Sequence, residues 1–262
     1  MKEGLYVPKP RTHLDSSIEG ARPIFVCVVG EDNDFKNEDK DENFNRQMAN
    51  EVNALKEKIA RALKDPHVLN VNFLENHKVL NRKKIKNAGY QTYAISPIDS
   101  RDKVSVNHNV CIGLIVAGIK RNTRERVSFA GHQDPEGFLN GVKKKFLDDL
   151  GKKLREMKAM CVPGTIDAVA IGGVYIKAPQ GFPRAAVHFQ QNYLDAIQLL
   201  SHETKEILGF EPTAANGPKT YGGDSYLYEN YTRRLNLLRP YVNPRAGDFP
   251  LSDFGDVKDG LE

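Results

Sequence analysis

KVSVNHNVCIGLIVAGI, residues 103–119, and RERVSFAGH, residues 124–132, decide how this chain folds. Apolar and β-branched side chains dominate both stretches. The first reads as one or two strands, and the second alternates well enough for another. A turn near Arg121 and Asn122 joins them into a hairpin. Leu114 then faces Phe129 and Val116 faces Val127, both reasonable apolar cross-strand pairs. The same register sets Cys111 opposite His132, with β-carbons roughly 4.5–5.5 Å apart.

Outward from this hairpin the chain alternates strands and helices. Residues 136–158 place Phe138, Val142, Phe146, Leu150, Leu154 and Met157 on one helical stripe, with Lys143, Lys144, Lys145, Lys152 and Lys153 on the other face. TIDAVAIGG, 165–173, reads as a strand. A second stripe runs through Ala186, Phe189, Tyr193, Ile197, Leu200 and Ile207. Its helix is bounded by Pro183 in the first turn and Gly209 past the end. SYLYENYTRRLNLL, 225–238, reads as a hairpin turning at Glu229 and Asn230. Upstream, PIFVCVVG (23–30) reads as a buried strand. Residues 43–64 read as a helix with Phe44, Met48, Val52, Leu55, Ile59 and Leu63 inward, and HVLNVNF (67–73) and GYQTYAIS (89–96) as further strands. The fold class is α/β of the α+β kind: mixed β-sheets layered with amphipathic helices. Four regions are expected. Residues 1–22 form an irregular arm and 23–102 an α/β extension packed on the core. Residues 103–240 form the core, and 241–262, rich in Asp, Gly and Pro, a flexible tail.

Composition narrows the function classes. The 262 residues are 40% apolar and 27% charged, ordinary values for a chain with a real core. No apolar run is long enough to span a bilayer, and the polar start lacks the apolar stretch of a secretory signal. No membrane partner is expected. The three cysteines, Cys27, Cys111 and Cys161, are odd in number and widely spaced, which fits a reducing, cytoplasmic setting better than a disulfide framework. A net charge of +4 is too mild to point to nucleic acid.

Several site motifs fail on their own chemistry. In the acidic stretch 31–43, Asp32 and Asp34 suit a calcium loop, but Lys36 stands where an oxygen ligand is needed and Asn37 replaces the turn glycine. HETKE (202–206) has Glu206 where a zinc-protease helix needs a second histidine, so His202 reads as a surface residue. VVGEDND has one glycine and no phosphate-binding pattern, and GxSxG is absent. The basic run NRKKIKN, 81–87, reads as a solvated turn. No metal and no organic cofactor is expected.

Cysteine chemistry remains. Cys27 lies within an apolar strand and reads as a small core side chain. Cys161, before Val162, Pro163 and Gly164, has no base nearby in sequence. Cys111 opposite His132 has the pattern of a nucleophile and its base: imidazole takes the thiol proton, and the ion pair keeps thiolate populated at neutral pH. A third group should orient the ring. Ser105, Asn107 and Asn109 precede the cysteine, and Gln133 and Asp134 follow the histidine. The same residues also suit a plainer role, with the cysteine a buried small hydrophobe and the histidine a hydrogen-bonded strand end.

VSVNHNVCIGLIV, VSFAGHQDP and VAIGGVYI, with the closing GPKTYGGDSYLYENYTRRLNLLRP, resemble the chemoreceptor glutamine deamidases. They also resemble the wider group of cysteine deamidases that includes glutamine-deamidating bacterial toxins and protein N-terminal asparagine amidohydrolases. The resemblance covers about residues 103–240. It implies a sandwich of mixed sheets and helices, Cys111 as nucleophile, His132 as base, and Ser105 as the hydroxyl that helps hold the site. It further implies a protein substrate bearing Gln or Asn, deamidated through a thioester. Departures are Asn109 and Val110 where the family has small residues, a Cys-to-His separation of 21 positions, and about a hundred N-terminal residues without counterpart. The contrasting expectation is a non-catalytic binding protein on the same fold, meeting an acidic partner with the lysine-faced helix and the 81–87 run.

Overall fold

The computed structural model describes residues 11–30, 42–71, 93–108, 111–133, 143–171, 197–215 and 224–238. The sequence-expected features at 31–41 and 72–92, at Asn109, Asp134, Phe138 and Val142, at Gly172–Gly173, in the first part of the 183–208 helix and in the 241–262 tail lie outside them.

Two five-stranded sheets form the centre. The first contains β1 (Phe25–Val29), β2 (Val68–Asn70), β4 (Asp102–His108), β9 (Asp224–Glu229) and β10 (Arg234–Leu238), in the order β1-β10-β9-β4-β2. The second contains β3 (Tyr93–Ile95), β5 (Ile112–Ile119), β6 (Arg126–Gln133), β7 (Asp167–Ile171) and β8 (Thr213–Ala215), in the order β3-β6-β5-β7-β8. Both sheets mix parallel and antiparallel pairs. Strands from residues 23–102 are woven into both sheets alongside strands from 103–240.

Helices cover the two outer faces. Helix α1 (Glu42–Ala62) lays Leu55, Ile59 and Ala62 against Val104, Leu227 and Leu238 of the first sheet. Helix α2 (Lys143–Met160) buries Phe146, Leu150, Leu154 and Met157 against Leu114, Val116, Val127 and Phe129 of the second. A third helical segment, 197–208, adds Leu200 to that cluster and ends at Gly209, whose φ of +90° is the left-handed conformation that favours glycine after a helix. Between the sheets lie Ile115, Ala117, Ala130, Val169, Tyr226 and Tyr228, among others. The order of layers is helix, sheet, sheet, helix, the mixed α+β architecture expected. β5 and β7 are covered on both faces, so all their residues are buried and they read as continuous apolar runs rather than alternating ones.

Four expectations need correction. The β5–β6 pair is displaced by two residues: Gly113 faces His132, Leu114 faces Gly131 and Val116 faces Phe129. The turn is wider than a tight one at Arg121 and Asn122. It closes with Lys120 N–H donating to the Glu125 carbonyl at 2.9 Å and takes Arg124 to a φ of 59°. A slip of two preserves which face each side chain occupies; a slip of one would have inverted it. In the second hairpin, Arg234 pairs with Glu229, so the turn falls after Glu229 and takes Arg233 to a φ of 53°. β1 is an edge strand with Val28 exposed and Cys27 half-buried, its Sγ 3.2 Å from Arg234 Nη2. Leu63, beyond the end of α1, is exposed, and Ala62 takes the inner position.

The N-terminal segment has no regular structure over 11–22 but is firmly attached. The fully buried carboxylate of Asp167 accepts from the Ile24 backbone N–H at 2.6 Å, from the Arg11 guanidinium and from His13 Nε2 at 3.2 Å. The His13 ring stacks on Phe210 with centroids 3.7 Å apart. Burial, and then the nearby Arg11 charge, hold His13 below the usual histidine value, so the folded chain favours the neutral ring.

Two outcomes follow. Leu154→Ala removes a fully buried side chain between α2 and the second sheet and is expected to destabilise the fold by about 2–5 kcal/mol in chemical denaturation. A loss under about 1 kcal/mol would contradict tight packing there. On acidification from about pH 6.5, the unfolded chain binds a proton at His13 before the folded chain does, so stability declines through that window. Denaturation midpoints measured from pH 7 to 5 should fall less steeply for His13→Gln. An equal slope would show that His13 is not the linked group.

Candidate active site

Ser105 and His132 come from different sheets. Strand alternation turns both into the layer between the sheets, because Val104 belongs to the α1 cluster while Ala130 belongs to the inter-sheet cluster. Ser105 Oγ and His132 Nδ1 lie 3.0 Å apart, a hydrogen bond that crosses the layer. Ser105 is fully buried, His132 half-buried. The imidazole is seated where its neighbours are small: its ladder partners are Gly113 on β5 and Ala94 on β3.

Cys111 is half-buried and immediately precedes β5, two positions before Gly113. It is therefore diagonal to His132 across the ladder rather than directly opposite it. Diagonal neighbours share a face at about 7–8 Å between main chains, within reach of long or aromatic side chains. The expected direct pairing fails because the turn takes two more residues than a tight one.

The other site expectations divide. Gln133 is buried but follows His132 by one position, which turns it to the helix-covered face with Val127 and Phe129. It therefore does not join Ser105 and His132 in the layer. Asn107 lies on β4 between Ser105 and His108, within the register shift that makes a bulge at the edge of the site. Asn109 and Asp134 lie outside the described residues. Tyr226 was not anticipated. It stands directly opposite Ser105 in the β4–β9 ladder and is fully buried. Burial pushes its phenol well above the ordinary tyrosine value, and the Ser105 hydroxyl pulls the other way. The alternation in SYLYE marks Tyr226 and Tyr228 as a pair on one face, but nothing local names Ser105 as the partner.

The remaining cysteines differ from Cys111. Cys161 is fully buried beneath α2, and burial pushes its thiol up to about 11, which suppresses thiolate at neutral pH. No disulfide joins the three. His202 is exposed. Among the described residues no cluster of three or more His, Cys, Asp or Glu is arranged to hold a metal ion, and no helix is long and apolar enough to cross a membrane.

The exposed face of α2 carries its own counter-charges. Lys145 Nζ lies 2.5 Å from Asp149, Lys152 3.8 Å from the same carboxylate, and Lys153 2.9 Å from Glu156. Such pairing weakens a purely cationic docking face. No protein-family model and no curated protein matches the chain.

Gly113→Val puts a branched side chain beside the imidazole. The expected result is displacement of His132 from Ser105, read as changed His132 ring resonances by NMR in a protein that keeps its circular dichroism. Unchanged ring resonances would mean that the space beside Gly113 does not seat the ring.

Proposed function

We propose that this chain is a cysteine-dependent amidohydrolase that releases ammonia from a carboxamide, the side chain of Gln or Asn in a protein substrate. The observation that carries the reading is the 3.0 Å hydrogen bond between Ser105 Oγ and His132 Nδ1. A base needs one ring nitrogen fixed so that the other is presented to the nucleophile, and Ser105 supplies that constraint from the opposite sheet. Cys111 is the cysteine on the same face and at the half-buried rim. The likeness of 103–240 to the cysteine deamidases supports the substrate class, and the absence of disulfides supports a reducing, cytoplasmic setting.

In this reading His132 Nε2 takes the Cys111 proton, and the thiolate attacks the amide carbon to give a tetrahedral oxyanion. Backbone N–H groups near the cysteine stabilise the oxyanion. The carbon–nitrogen bond breaks as imidazolium returns a proton to the departing ammonia, leaving a thioester. Water, deprotonated by His132, then cleaves the thioester to the carboxylate and restores the thiol. The chemistry draws on no metal or organic cofactor.

Two measurements test it. Iodoacetamide labelling of each cysteine, followed by mass spectrometry from pH 5 to 9, should show Cys111 reacting fast in mild acid and slowing in His132→Ala, with Cys161 unreactive. Ammonia release from Gln- and Asn-bearing proteins should fall about 10²–10⁴-fold in His132→Ala and vanish in Cys111→Ala, with thermal unfolding near that of the parent. Slow labelling unaffected by His132, or full activity in either variant, rejects the reading.

A further inference from the structure

The end of the sandwich away from Ser105 and His132 gathers three arginines around the turn between β9 and β10. Arg22, from the segment before β1, and Arg126, at the start of β6, both donate to the Tyr231 carbonyl in that turn, Arg22 Nη2 at 3.1 Å. The Arg126 guanidinium also lies over the Tyr231 ring, 4.6 Å from its centroid. It packs close to Gly20, where an added Cβ would stand 3.4 Å from its Nη2. The third guanidinium, that of Arg233, is buried and donates to the Arg22 carbonyl and, at 2.6 Å, to the Thr165 carbonyl. Among the described residues none of these three arginines pairs with a carboxylate. The acidic groups at this end have other partners: Asp99 holds Arg101 and Lys103, Glu125 holds Lys120, Glu229 holds Lys58, and Asp102 accepts from the Asn230 amide.

We propose that this surface docks an acidic segment of a partner protein, whose Asp or Glu side chains are taken by Arg22 and Arg126 with Tyr231 as the aromatic anchor beside them. Charge complementarity names the partner. Like charges brought together repel, and an incoming anion removes that cost. A guanidinium fork takes a carboxylate through two parallel hydrogen bonds. The surface is also fixed before any partner arrives. Tyr231 is 77% exposed, yet its turn is fastened on both sides. Asn230 Nδ2 donates to the Arg126 carbonyl at 2.7 Å and to the Ser100 carbonyl at 3.1 Å, and Arg233 closes the turn with a φ of 53° and its side chain buried. Tyrosine and arginine held in this way lose little freedom on docking, and they are the side chains that carry much of the binding energy at protein interfaces. The patch is compact, which suits a few carboxylates better than the long phosphate track of a nucleic acid. The acidic partner meets arginines here, not the lysines of α2, which face their own acids. From Arg126 to His132 along β6 is about 20 Å, so a partner held at this end leaves the candidate site open. The proposal stands apart from the amidohydrolase reading, since it needs neither Cys111 nor His132.

The probe is a fluorescein-labelled decaglutamate peptide, titrated with the full chain at low salt and followed by fluorescence anisotropy. Binding is expected, and it should weaken about 10–100-fold when Arg22→Gln and Arg126→Gln are combined. Tyr231→Ala should weaken it as well, while Lys152→Gln with Lys153→Gln on α2 should leave it unchanged. In the parent protein, backbone amide shifts on adding the peptide should centre on residues 20–22, 126 and 230–234 and spare His132. No binding at millimolar peptide, parental affinity in the arginine variant or in Tyr231→Ala, or shifts centred on α2 overturns the proposal. A single-stranded oligonucleotide of equal charge that binds more tightly through the same arginines overturns it too, and makes this a nucleic-acid surface. Should the combined variant fail to fold, the shift map of the parent and the exposed Arg22→Gln alone decide: shifts elsewhere, or parental affinity in that variant, reject the site.

Discussion

Two sheets packed face to face exclude water from the layer between them, and every polar group admitted to that layer must find its partner within the protein. Most positions there meet the constraint by being apolar, as Ile115, Ala117, Val169, Leu235 and Leu237 do. The charged exceptions are tied. Lys103 is buried with its ammonium 2.6 Å from Asp99, Arg233 donates to the Arg22 and Thr165 carbonyls, and Asp167 collects Arg11, His13 and the Ile24 amide. A buried polar group left unpaired costs about 1–3 kcal/mol, more when charged, so these partners constrain which loops can sit where. The N-terminal segment is held beside β7 for this reason, although it has neither helix nor strand over 11–22.

The same constraint gives the candidate site its precision. Ser105 comes from β4 and His132 from β6, and their hydrogen bond exists only when the two sheets are correctly stacked. The ring is therefore oriented by tertiary packing rather than by a flexible loop, the condition under which a base keeps one nitrogen presented to its nucleophile. Gly113 and Ala94 leave room on both sides of the ring without leaving it loose. The bulge after Ser105 interrupts the β4–β9 ladder just where the chain leaves the core for the rim, a common place for bulges beside functional sites.

The layers were legible because they depend on local periodicity. Phe146, Leu150, Leu154 and Met157 recur at helical spacing, and the unbroken apolar run of 112–119 announces a strand covered on both sides. The hairpin was legible in its faces but not in its register, since KRNTRE contains no glycine and nothing in it announces that Arg124 takes a left-handed conformation. Because the resulting error was two residues, His132 kept its face while its opposite neighbour changed from Cys111 to Gly113. β1 shows a different limit. FVCVV is as apolar as a central strand, and only the order of strands in the sheet reveals that it is an edge. Ser105 was found from its spacing to Cys111 and from the family likeness, whereas Tyr226 depends on a ladder that joins residues more than a hundred positions apart.

Burial is graded from Ser105 in the layer to His132 and Cys111 at the rim. Ser105 lies where the surroundings are dry and hydrogen bonds are strong, while His132 and Cys111 are half-buried. A catalytic pair placed wholly in the core would be inaccessible, and one placed wholly at the surface would lose its orientation to solvent and side-chain motion. In the proposed reading, a hydrogen bond that crosses from one regime to the other separates the two requirements: the buried serine orients the ring, and the half-buried cysteine does the chemistry. The sandwich supplies such a crossing wherever an inter-sheet position lies near the end of a strand, and on β6 that position is His132.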